Sequence, residues 1–230
     1  MKIAVFSDIH ANLPAFEAFL KDAESRKPDA FYCLGDLVGY NVWPNEIIGE
    51  IRRRGIATLA GNHDVKPAPS DALDKNYAYH VISEEGRRYL ESLPAHIRLE
   101  FRQQEAPLAI LMVHGSPRSN DEYVLEDLPE EFVLELLNEA NADVLFCGHS
   151  HKPYHRIIQT GGVAKHVINT GSVGKPKDGD PRGCYVLFSI DKDGLRVEFV
   201  RFEYDVEKAA LAIEESPLPD ELADRLRKAY

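Results

Sequence analysis

The stretch DVLFCGHSHKP, residues 143–153, places His149 and His151 directly after a short apolar run. A short apolar run of this kind is typical of a buried strand. In extended backbone, side chains two residues apart point to the same side. Imidazoles that point the same way are common ligands of divalent transition metals. The pair therefore predicts metal chemistry at the end of a strand.

Five other apolar runs end in residues of the same kind. Nitrogen and oxygen donors follow these runs, often beside a glycine: Asp8, His10, Asp36, Asn62, His63, Asp64, His114, Thr170 and Ser172. In open α/β sheets, ligands gather at the carboxyl ends of the strands. We therefore expect these side chains to converge on one crevice.

The predicted crevice contains more donors than one metal ion uses. Asp8, Asp36, Asn62 and five histidines offer carboxylate, amide and imidazole groups without a thiolate. Two divalent ions that share a bridging carboxylate fit this set, at a separation of about 3.5–4 Å. His149 and His151 would then bind one ion each. The remaining histidines lack such neighbours and are predicted to be structural: His80, His96, His155 and His166.

The elements that position these residues alternate at the start of the chain. Apolar runs at 2–7, 30–34 and 56–60 predict strands, and helical spacing predicts helices after Asn12 and from Pro44. This alternation favours βαβ units and a mainly parallel sheet. Further along, the patterns predict these elements: a helical segment over 71–93 broken near Gly86, a strand pair at 96–101 and 107–113, a helix over 130–141, a strand at 143–147, four strands between 155 and 202 with a DKDG turn at 191–194, and two helices over 205–230.

These elements together predict one α/β domain over residues 1–230, which some schemes would class as α+β. We expect two packed mixed β-sheets with helices outside, a four-layer αββα sandwich. No internal repeat or linker interrupts the pattern.

Composition limits the location and the partners of the protein. Of the 230 residues, 44% are hydrophobic, and the net charge is −11. The apolar runs are far shorter than the ~20 residues of a membrane span, and Asp8 comes too early for a secretory signal. We therefore expect a cytoplasmic protein with no membrane partner. The acidic balance argues against extended nucleic acid, which needs clustered basic residues. Three cysteines without CxxC spacing are predicted to be buried thiols.

Five short motifs carry a family resemblance. SDIHAN, LGDLVGY, GNHD, VHGS and GHSHKP resemble, in order, the metal-site motifs of the calcineurin-like metallophosphoesterases. The segment NTGSVGKP is similar to the one that follows them in the small bacterial and archaeal phosphodiesterase branch. The match runs from residue 7 to about residue 183.

The resemblance implies a role for each matched residue. Asp8, His10 and His151 would bind the first ion. Asn62, His114 and His149 would bind the second ion, and Asp36 would bridge the two. His63 would not be a ligand but a general acid, or a donor to the phosphoryl group. The resemblance favours Mn²⁺, with Fe, Zn, Ni or Mg as other possible metals.

Phosphate-ester hydrolysis fits this arrangement of groups. Two dications lower the pKa of a shared water, so that a bridging hydroxide can attack the phosphorus in line. They also withdraw charge from the phosphate oxygens. His63 could protonate the leaving alcohol. Asp64 has two possible roles, either orienting the His63 imidazole or capping a loop.

One motif departs from the protein Ser/Thr phosphatases of the superfamily. These carry GDxxDRG, whereas Gly39 and Tyr40 stand here where an orienting Asp and a phosphate-gripping Arg would be. The departure weakens the protein-phosphatase interpretation. Tyr40 and Asn41 become candidates for the substrate pocket, and Trp43 is either a pocket residue or plain packing.

Other candidates for substrate binding have a structural alternative. Lys175, Lys177 and Arg182 lie in a Gly- and Pro-rich stretch, where they either hold phosphate or belong to a solvated turn. Asn12 is first a helix cap and second a phosphate donor. Residues 65–96 could form a helical cap over the site, with Tyr77, Tyr79 and His80 stacking a base. A simple buried helix face is the favoured alternative there.

The function predicted from these observations is dinuclear, metal-dependent hydrolysis of small phosphate esters. The expected substrates are nucleotide-type esters such as dinucleoside polyphosphates or cyclic nucleotides. The alternatives are a Ser/Thr protein phosphatase, a nuclease, and a non-catalytic scaffold that binds a protein partner. The complete set of expected ligands counts against the scaffold.

Overall fold

The computed structural model describes residues 1–65, 73–101, 107–191 and 194–230. In chain order the elements are β1 (Lys2–Phe6), α1 (Leu13–Ser25), β2 (Ala30–Cys33), α2 (Pro44–Arg54), β3 (Ala57–Thr58), α3 (Leu73–Val81), α4 (Glu84–Glu91), β4 (His96–Phe101), β5 (Leu108–Val113), α5 (Glu130–Glu139), β6 (Val144–Cys147), β7 (Tyr154–Thr160), β8 (Val163–Asn169), β9 (Gly183–Asp191), β10 (Gly194–Phe202), α6 (Val206–Glu214) and α7 (Glu221–Lys228).

The strands form two mixed sheets of five strands each. The first has the order β10-β9-β1-β2-β3, and the second has the order β4-β5-β6-β8-β7. Each sheet contains three parallel strands, β1, β2 and β3 in the first and β5, β6 and β8 in the second. Antiparallel strands complete both sheets. Three strands of each sheet therefore end at the same edge.

The two sheets pack face to face through a buried apolar core. Side chains of β1 and β9 in the first sheet meet those of β5, β6 and β8 in the second. The rings of Phe146 and Phe188 lie edge to face across this core, 5.2 Å apart. Helices α1 and α2 cover the outer face of the first sheet, and α5 covers that of the second. The predicted fold, two mixed sheets between helices, is confirmed.

The helices between the parallel strands begin and end with ordinary local signals. The Asn12 side chain accepts a hydrogen bond from the Ala15 amide at 3.1 Å and so caps α1. Pro44 occupies the first turn of α2, where its missing N–H costs nothing. Gly55 ends α2 in the left-handed conformation, at φ 63°. Each helix carries the chain back to the end of the sheet where the preceding strand began, so β1, β2 and β3 run parallel.

The helical segment predicted over 71–93 is two helices, and the break lies at Ile82 and Ser83, near the predicted position. The chain breaks between α3 and α4, where Ser83 caps α4 by accepting from the Gly86 amide at 3.0 Å. Gly86 lies inside the first turn of α4, where a Cβ atom would lie 3.1 Å from the Ile82 side chain. Residues 66–72 of the predicted cap lie outside the described residues.

The DKDG turn predicted at 191–194 also lies partly outside the described residues, at 192–193. The flanking strands pair antiparallel, with Asp191 opposite Gly194. Within the described part of the chain, every helix is too short or too polar to cross a membrane.

Replacing Phe188 by alanine should destabilise the fold by about 3–5 kcal/mol, because the ring is fully buried between the sheets. Urea denaturation would measure this loss. The matched control is Phe199→Ala on the adjoining strand β10, where the ring is 36% exposed. We expect about 1 kcal/mol or less from that control. Equal losses at the two sites would contradict the assigned core.

Candidate metal centre

The carboxyl ends of the parallel strands meet along one edge of the sandwich. Asp8 and His10 follow β1, and Asp36 follows β2. His149 and His151 follow β6 in the other sheet. A hydrogen bond joins the sheets here, because the His149 amide donates to Asp8 Oδ2 at 3.1 Å. The predicted convergence of strand ends on one crevice is therefore what the fold produces.

The first donor group contains Asp8, His10, Asp36 and His151, all buried. One ligand atom from each lies within 4.8 Å of the others. The Nε2 atoms of His10 and His151 are 3.2 Å apart. Asp8 Oδ1 lies 3.6 Å from the first of these nitrogens and 3.2 Å from the second.

The second donor group contains Asp36, His114 and His149, also buried and also within 4.8 Å of one another. His114 Nε2 lies 3.4 Å from Asp36 Oδ2 and 3.0 Å from Asn62 Oδ1. Asn62 therefore belongs with this group. Asp36 is common to both groups, since its Oδ2 also lies 3.5 Å from His10 Nε2.

Backbone carbonyls fix the orientation of three of these imidazoles. The Nδ1 atoms of His10 and His114 donate to the carbonyls of Val38 and Leu34, at 3.0 and 2.9 Å. His151 Nδ1 donates to the Lys175 carbonyl. A carbonyl only accepts, so Nδ1 carries the hydrogen and each neutral ring turns the lone pair of Nε2 into the centre. Lone pairs and carboxylate oxygens at 3.2–3.6 Å fit cations placed among them.

The electrostatics of the centre also favour a bound cation. Burial would raise the pKa of Asp8, but His151 and His10 hold it well below its usual value. Burial likewise opposes the charge of His114, yet the Asp36 carboxylate raises the pKa of this imidazole to about 10. The two buried carboxylates and the imidazoles that face them therefore form a site that attracts positive charge.

The backbone at the site adopts an unusual conformation. Five of the predicted ligands have positive φ angles between 50° and 63°: Asp8, His10, Asp36, His149 and His151. Left-handed backbone is uncommon outside glycine and costs of order 1–3 kcal/mol for each residue. The chain turns sharply after each strand, and these turns direct the side chains inward.

A close approach of backbone to carboxylate makes glycine necessary at position 61. A Cβ atom there would lie 2.1 Å from Asp36 Oδ1 and 2.3 Å from the Asp36 amide. Any side chain would therefore displace the carboxylate that the two donor groups share.

Asp64 links the loop after β2 to the loop after β3. Its Oδ1 accepts from the Leu37 amide and its Oδ2 from the Gly61 amide, both at 3.0 Å. Burial, followed by the nearby Asp36 carboxylate, raises the pKa of Asp64 to about 7. Because both oxygens accept from backbone amides, the contacts favour the loop-capping alternative for Asp64.

The contacts of the Asn12 side chain are also structural. Besides capping α1, its amide nitrogen donates to the Gly174 carbonyl at 2.8 Å. Its side chain is fully buried. These contacts favour the helix-cap alternative over substrate binding, because the polar atoms already have partners.

Three of the remaining substrate candidates lie beside the centre. The Tyr40 ring lies 4.7 Å from the His10 ring, and the Lys175 ammonium lies 4.7 Å above the face of Tyr40. Lys175 is only 1% exposed, so it is not part of a solvated turn. Asn41 donates to the His10 carbonyl at 2.8 Å, while its Oδ1 is buried without a partner among the described residues.

Arg182 does not come together with these residues. Its side chain is 50% exposed and forms an ion pair with Asp180 at 2.7 Å. Its carbonyl accepts from Arg201. These contacts match the solvated-turn alternative rather than phosphate binding.

Two further residues lie near the centre: Ser172, which the sequence predicts at the crevice, and Tyr123, which it does not. The Ser172 hydroxyl donates to the Asp8 carbonyl at 2.8 Å and so fixes the turn after β1. Tyr123 stacks on the His149 ring at 4.1 Å and remains 49% exposed. Ser172 follows β8 as the other predicted site residues follow their strands. Tyr123 lies in an irregular loop, and no motif marks it.

Comparison with known proteins identifies the family. A model of the calcineurin-like phosphoesterase superfamily domain matches residues 1–193. The chain belongs to this superfamily. The family implies divalent metal ions, and the Asp and His clusters of the two donor groups fit such ions.

Individual relatives extend over nearly the whole chain. An uncharacterised protein of Methanocaldococcus jannaschii is 34% identical over 244 residues, covering 97% of this chain and 96% of its own. A metallophosphoesterase from Sphaerobacter thermophilus is 30% identical, with a TM-score of 0.82 and complete coverage of both chains. A hypothetical protein from Pyrococcus horikoshii shares the fold, with a TM-score of 0.84 at 24% identity, over 98% of this chain and 97% of that one.

Adding excess Mn²⁺ to chelated protein should raise the melting temperature by about 5–10 °C, because only the folded chain assembles the donors. At a free concentration of 100 Kd, binding adds about 2.7 kcal/mol, and each kcal/mol shifts the midpoint by about 2–4 °C at this chain length. Differential scanning calorimetry would measure the shift.

The Asp36→Asn variant should lose most of the Mn²⁺-induced shift, since it removes the shared charge without changing the shape. Asp143→Asn is the matched control, because this carboxylate pairs with Lys165 away from the centre. The control should keep the full shift. An unchanged shift in Asp36→Asn would show that the ion binds elsewhere.

Proposed function

We propose that the protein hydrolyses small phosphate esters with two divalent cations, manganese in the first place, held by the two donor groups. The observation that carries the proposal is the shared Asp36 carboxylate, which belongs to both groups and faces the imidazoles of each. Bound cations would supply activation of water and withdrawal of charge from the phosphoryl oxygens.

His63 is the proposed general acid. Its ring lies 5.0 Å from the His10 ring and 4.8 Å from the Tyr40 ring, measured between centroids. Its backbone amide donates to Asp36 Oδ1 at 2.9 Å, which ties the residue to the shared carboxylate. His63 thus lies beside the donor groups without belonging to either, as a proton donor to the leaving alcohol requires.

Packing orients His63 where the sequence lacks the orienting Asp of the protein phosphatases. Gly39 has a φ of +92°, and a Cβ atom added there would lie 2.6 Å from His63 Nδ1. The imidazole therefore rests against bare backbone on this side, between the rings of His10 and Tyr40. Absence of the Asp and Arg of GDxxDRG supports a substrate other than a phosphoprotein.

The surroundings of the centre support a small substrate of nucleotide type. The buried Lys175 ammonium over Tyr40 and the exposed Tyr123 ring over His149 lie on either side of the donor groups. A cation suits phosphate, and an exposed aromatic face suits a base or another planar group. The net charge of −11 disfavours long polyanions.

Protein loaded with Mn²⁺ should hydrolyse bis-p-nitrophenyl phosphate, and release of p-nitrophenolate would measure this rate. The phenolate leaves without a proton, so the test of His63 needs a cyclic nucleotide, whose leaving group is an alcohol. With the cyclic nucleotide, His63→Ala should lower kcat by about 10²–10⁴-fold, the usual contribution of general acid catalysis, as chromatography of the product would measure. The Mn²⁺-induced shift in melting temperature should persist in the variant, since His63 is not a ligand.

The matched control is His155→Ala, which removes a half-buried imidazole hydrogen-bonded to His166 outside the centre. It should leave kcat unchanged. If the metal-loaded protein hydrolyses no ester of a broad phosphate panel, the proposed function is wrong.

The Gly39→Ala variant should lower kcat at least tenfold while the Mn²⁺-induced shift remains. The added methyl group would push His63 off its position, and the left-handed φ makes alanine unfavourable there. Gly49→Ala, in the exposed middle of α2 with nothing within 4 Å, is the control and should leave kcat unchanged. Full activity in Gly39→Ala would mean that the position of His63 does not matter.

A further inference from the structure

A cavity of about 700 Å³ opens beside the second donor group. Asn62, a predicted ligand of the second ion, forms part of its wall. The rest of the wall comes from β4, β5, the end of α5, residues 116–121, Val65 and Ala95. Small-molecule sites are typically clefts of about 300–1,000 Å³. A molecule whose phosphate lies at the donor groups therefore has room to extend past Asn62.

The floor of the cavity is apolar and leads to the centre. His96 of β4 is paired with Val113 of β5. Arg98 is paired in the same way with Leu111, so these side chains share one face of the second sheet. Leu111 and Val113 are buried on the face that α5 covers. Val113 directly precedes His114, so an apolar group bound on this floor lies close to a predicted metal ligand.

The loop after β5 is a wall of the cavity that hydrogen bonds hold in place. The Ser116 amide donates to the Ser119 carbonyl at 2.8 Å, and the Ser116 hydroxyl oxygen accepts from the Ser119 amide at 3.2 Å. The Asn120 side-chain amide donates to the Ala60 carbonyl at 2.9 Å. Ala60 lies two residues before Asn62, so this bond joins the loop to the turn that carries the ligand. The cavity is therefore formed before a substrate binds, which lowers the entropic cost of binding.

The two arginines that line the cavity already have partners within the protein. Arg118 donates to Glu139 at 2.8 Å and to Glu135 at 2.7 Å, which also fastens the loop to α5. Arg98 donates to Glu100 at 3.0 Å and to the two carbonyls that follow α5, at 2.9 and 2.6 Å. Both guanidinium charges are thus compensated. The cavity therefore suits an uncharged group better than a second anion.

We propose that this cavity binds the uncharged organic group of the substrate, such as the nucleoside of a nucleotide ester. The inference rests on the proposed function and adds the place where the substrate is selected. The phosphate lies at the donor groups, and the group attached to it lies over Leu111 and Val113, where burial of its apolar surface stabilises the complex. The exposed His96 imidazole at the edge of the cavity can form hydrogen bonds with the polar edge of a base.

Binding of two phosphate monoesters would test the cavity. Isothermal titration calorimetry of the full-length His63→Ala protein loaded with Mn²⁺ would compare thymidine 5′-monophosphate with methyl phosphate, with turnover suppressed. The two ligands carry the same phosphate group and differ only in the group attached to it. We expect the nucleotide to bind about tenfold more tightly, since burial of roughly 60 Å² of apolar surface corresponds to such a factor.

Ala95→Trp should bring this preference close to one, because Ala95 is an exposed residue of the cavity wall and an indole ring there would occupy the space. Val65→Ser should reduce the preference about threefold, since it removes apolar surface from a wall residue that is 48% exposed. Ala57→Trp, at an exposed alanine of β3 away from the described wall, is the matched control and should keep the full preference. Melting temperatures would verify that the variants are folded, and Val65→Ser would carry the test if Ala95→Trp is not.

Equal affinity for the two ligands in the starting protein, or an unchanged preference in folded Ala95→Trp, would overturn the inference. A preference that is lost in Tyr123→Ala but kept in Ala95→Trp would also overturn it, because the base would then stack on Tyr123 instead. The result is independent of catalysis. A preference that depends on the cavity wall supports the inference even if no ester is hydrolysed, whereas hydrolysis without such a preference leaves the proposed function intact and shows that the cavity is not the binding site.

Discussion

The Asp36 carboxylate is the interaction on which the site depends. It is 1% exposed, and it faces one imidazole from β1 and one from β5, which belong to different sheets. An isolated buried carboxylate is costly, so this one is stable only if positive charge and hydrogen-bond donors surround it. The two sheets have to pack in one register for His10 and His114 to reach it. The packing of the sandwich and the assembly of the metal site therefore require the same alignment of the two sheets.

The backbone of the ligand residues is strained. The ligands of the first group and His149 lie in left-handed turns, whereas the strands that lead to them are regular, with β1 and β6 almost fully buried and β2 partly buried. An unfavourable turn persists where the surrounding packing fixes it. Here the inter-sheet core around Phe146 and Phe188 provides the rigidity. The separation of roles is clear, since apolar strands supply stability and the turns after them supply donors.

The sequence predicts the fold and the donor set well because both follow from local patterns. Apolar runs followed by Asp, His or Asn identify the strand ends, and parallel strands bring those ends to one edge. The sequence does not tell whether Asp64 orients an imidazole or caps a loop. The evidence for loop capping is two hydrogen bonds from backbone amides, and one of them comes from Leu37, which is distant in sequence. The position of α7 beside Tyr40 is likewise invisible, since it depends on contacts across nearly two hundred residues. Long-range packing decides these features, and single residues give no local signal for it.

The pairing of β1 has a consequence for biosynthesis. β1 lies between β2 and β9, and Ile3 is paired with Phe188, so one side of this central strand stays open until the chain is almost complete. At translation rates of about 5–20 residues per second, the interval is roughly ten seconds or longer. During that time Asp8 and His10 are attached to an unfinished sheet. The strand that carries the first two donors therefore stays an unpaired edge until β9 leaves the ribosome, and an edge of this kind is exposed to pairing with other chains.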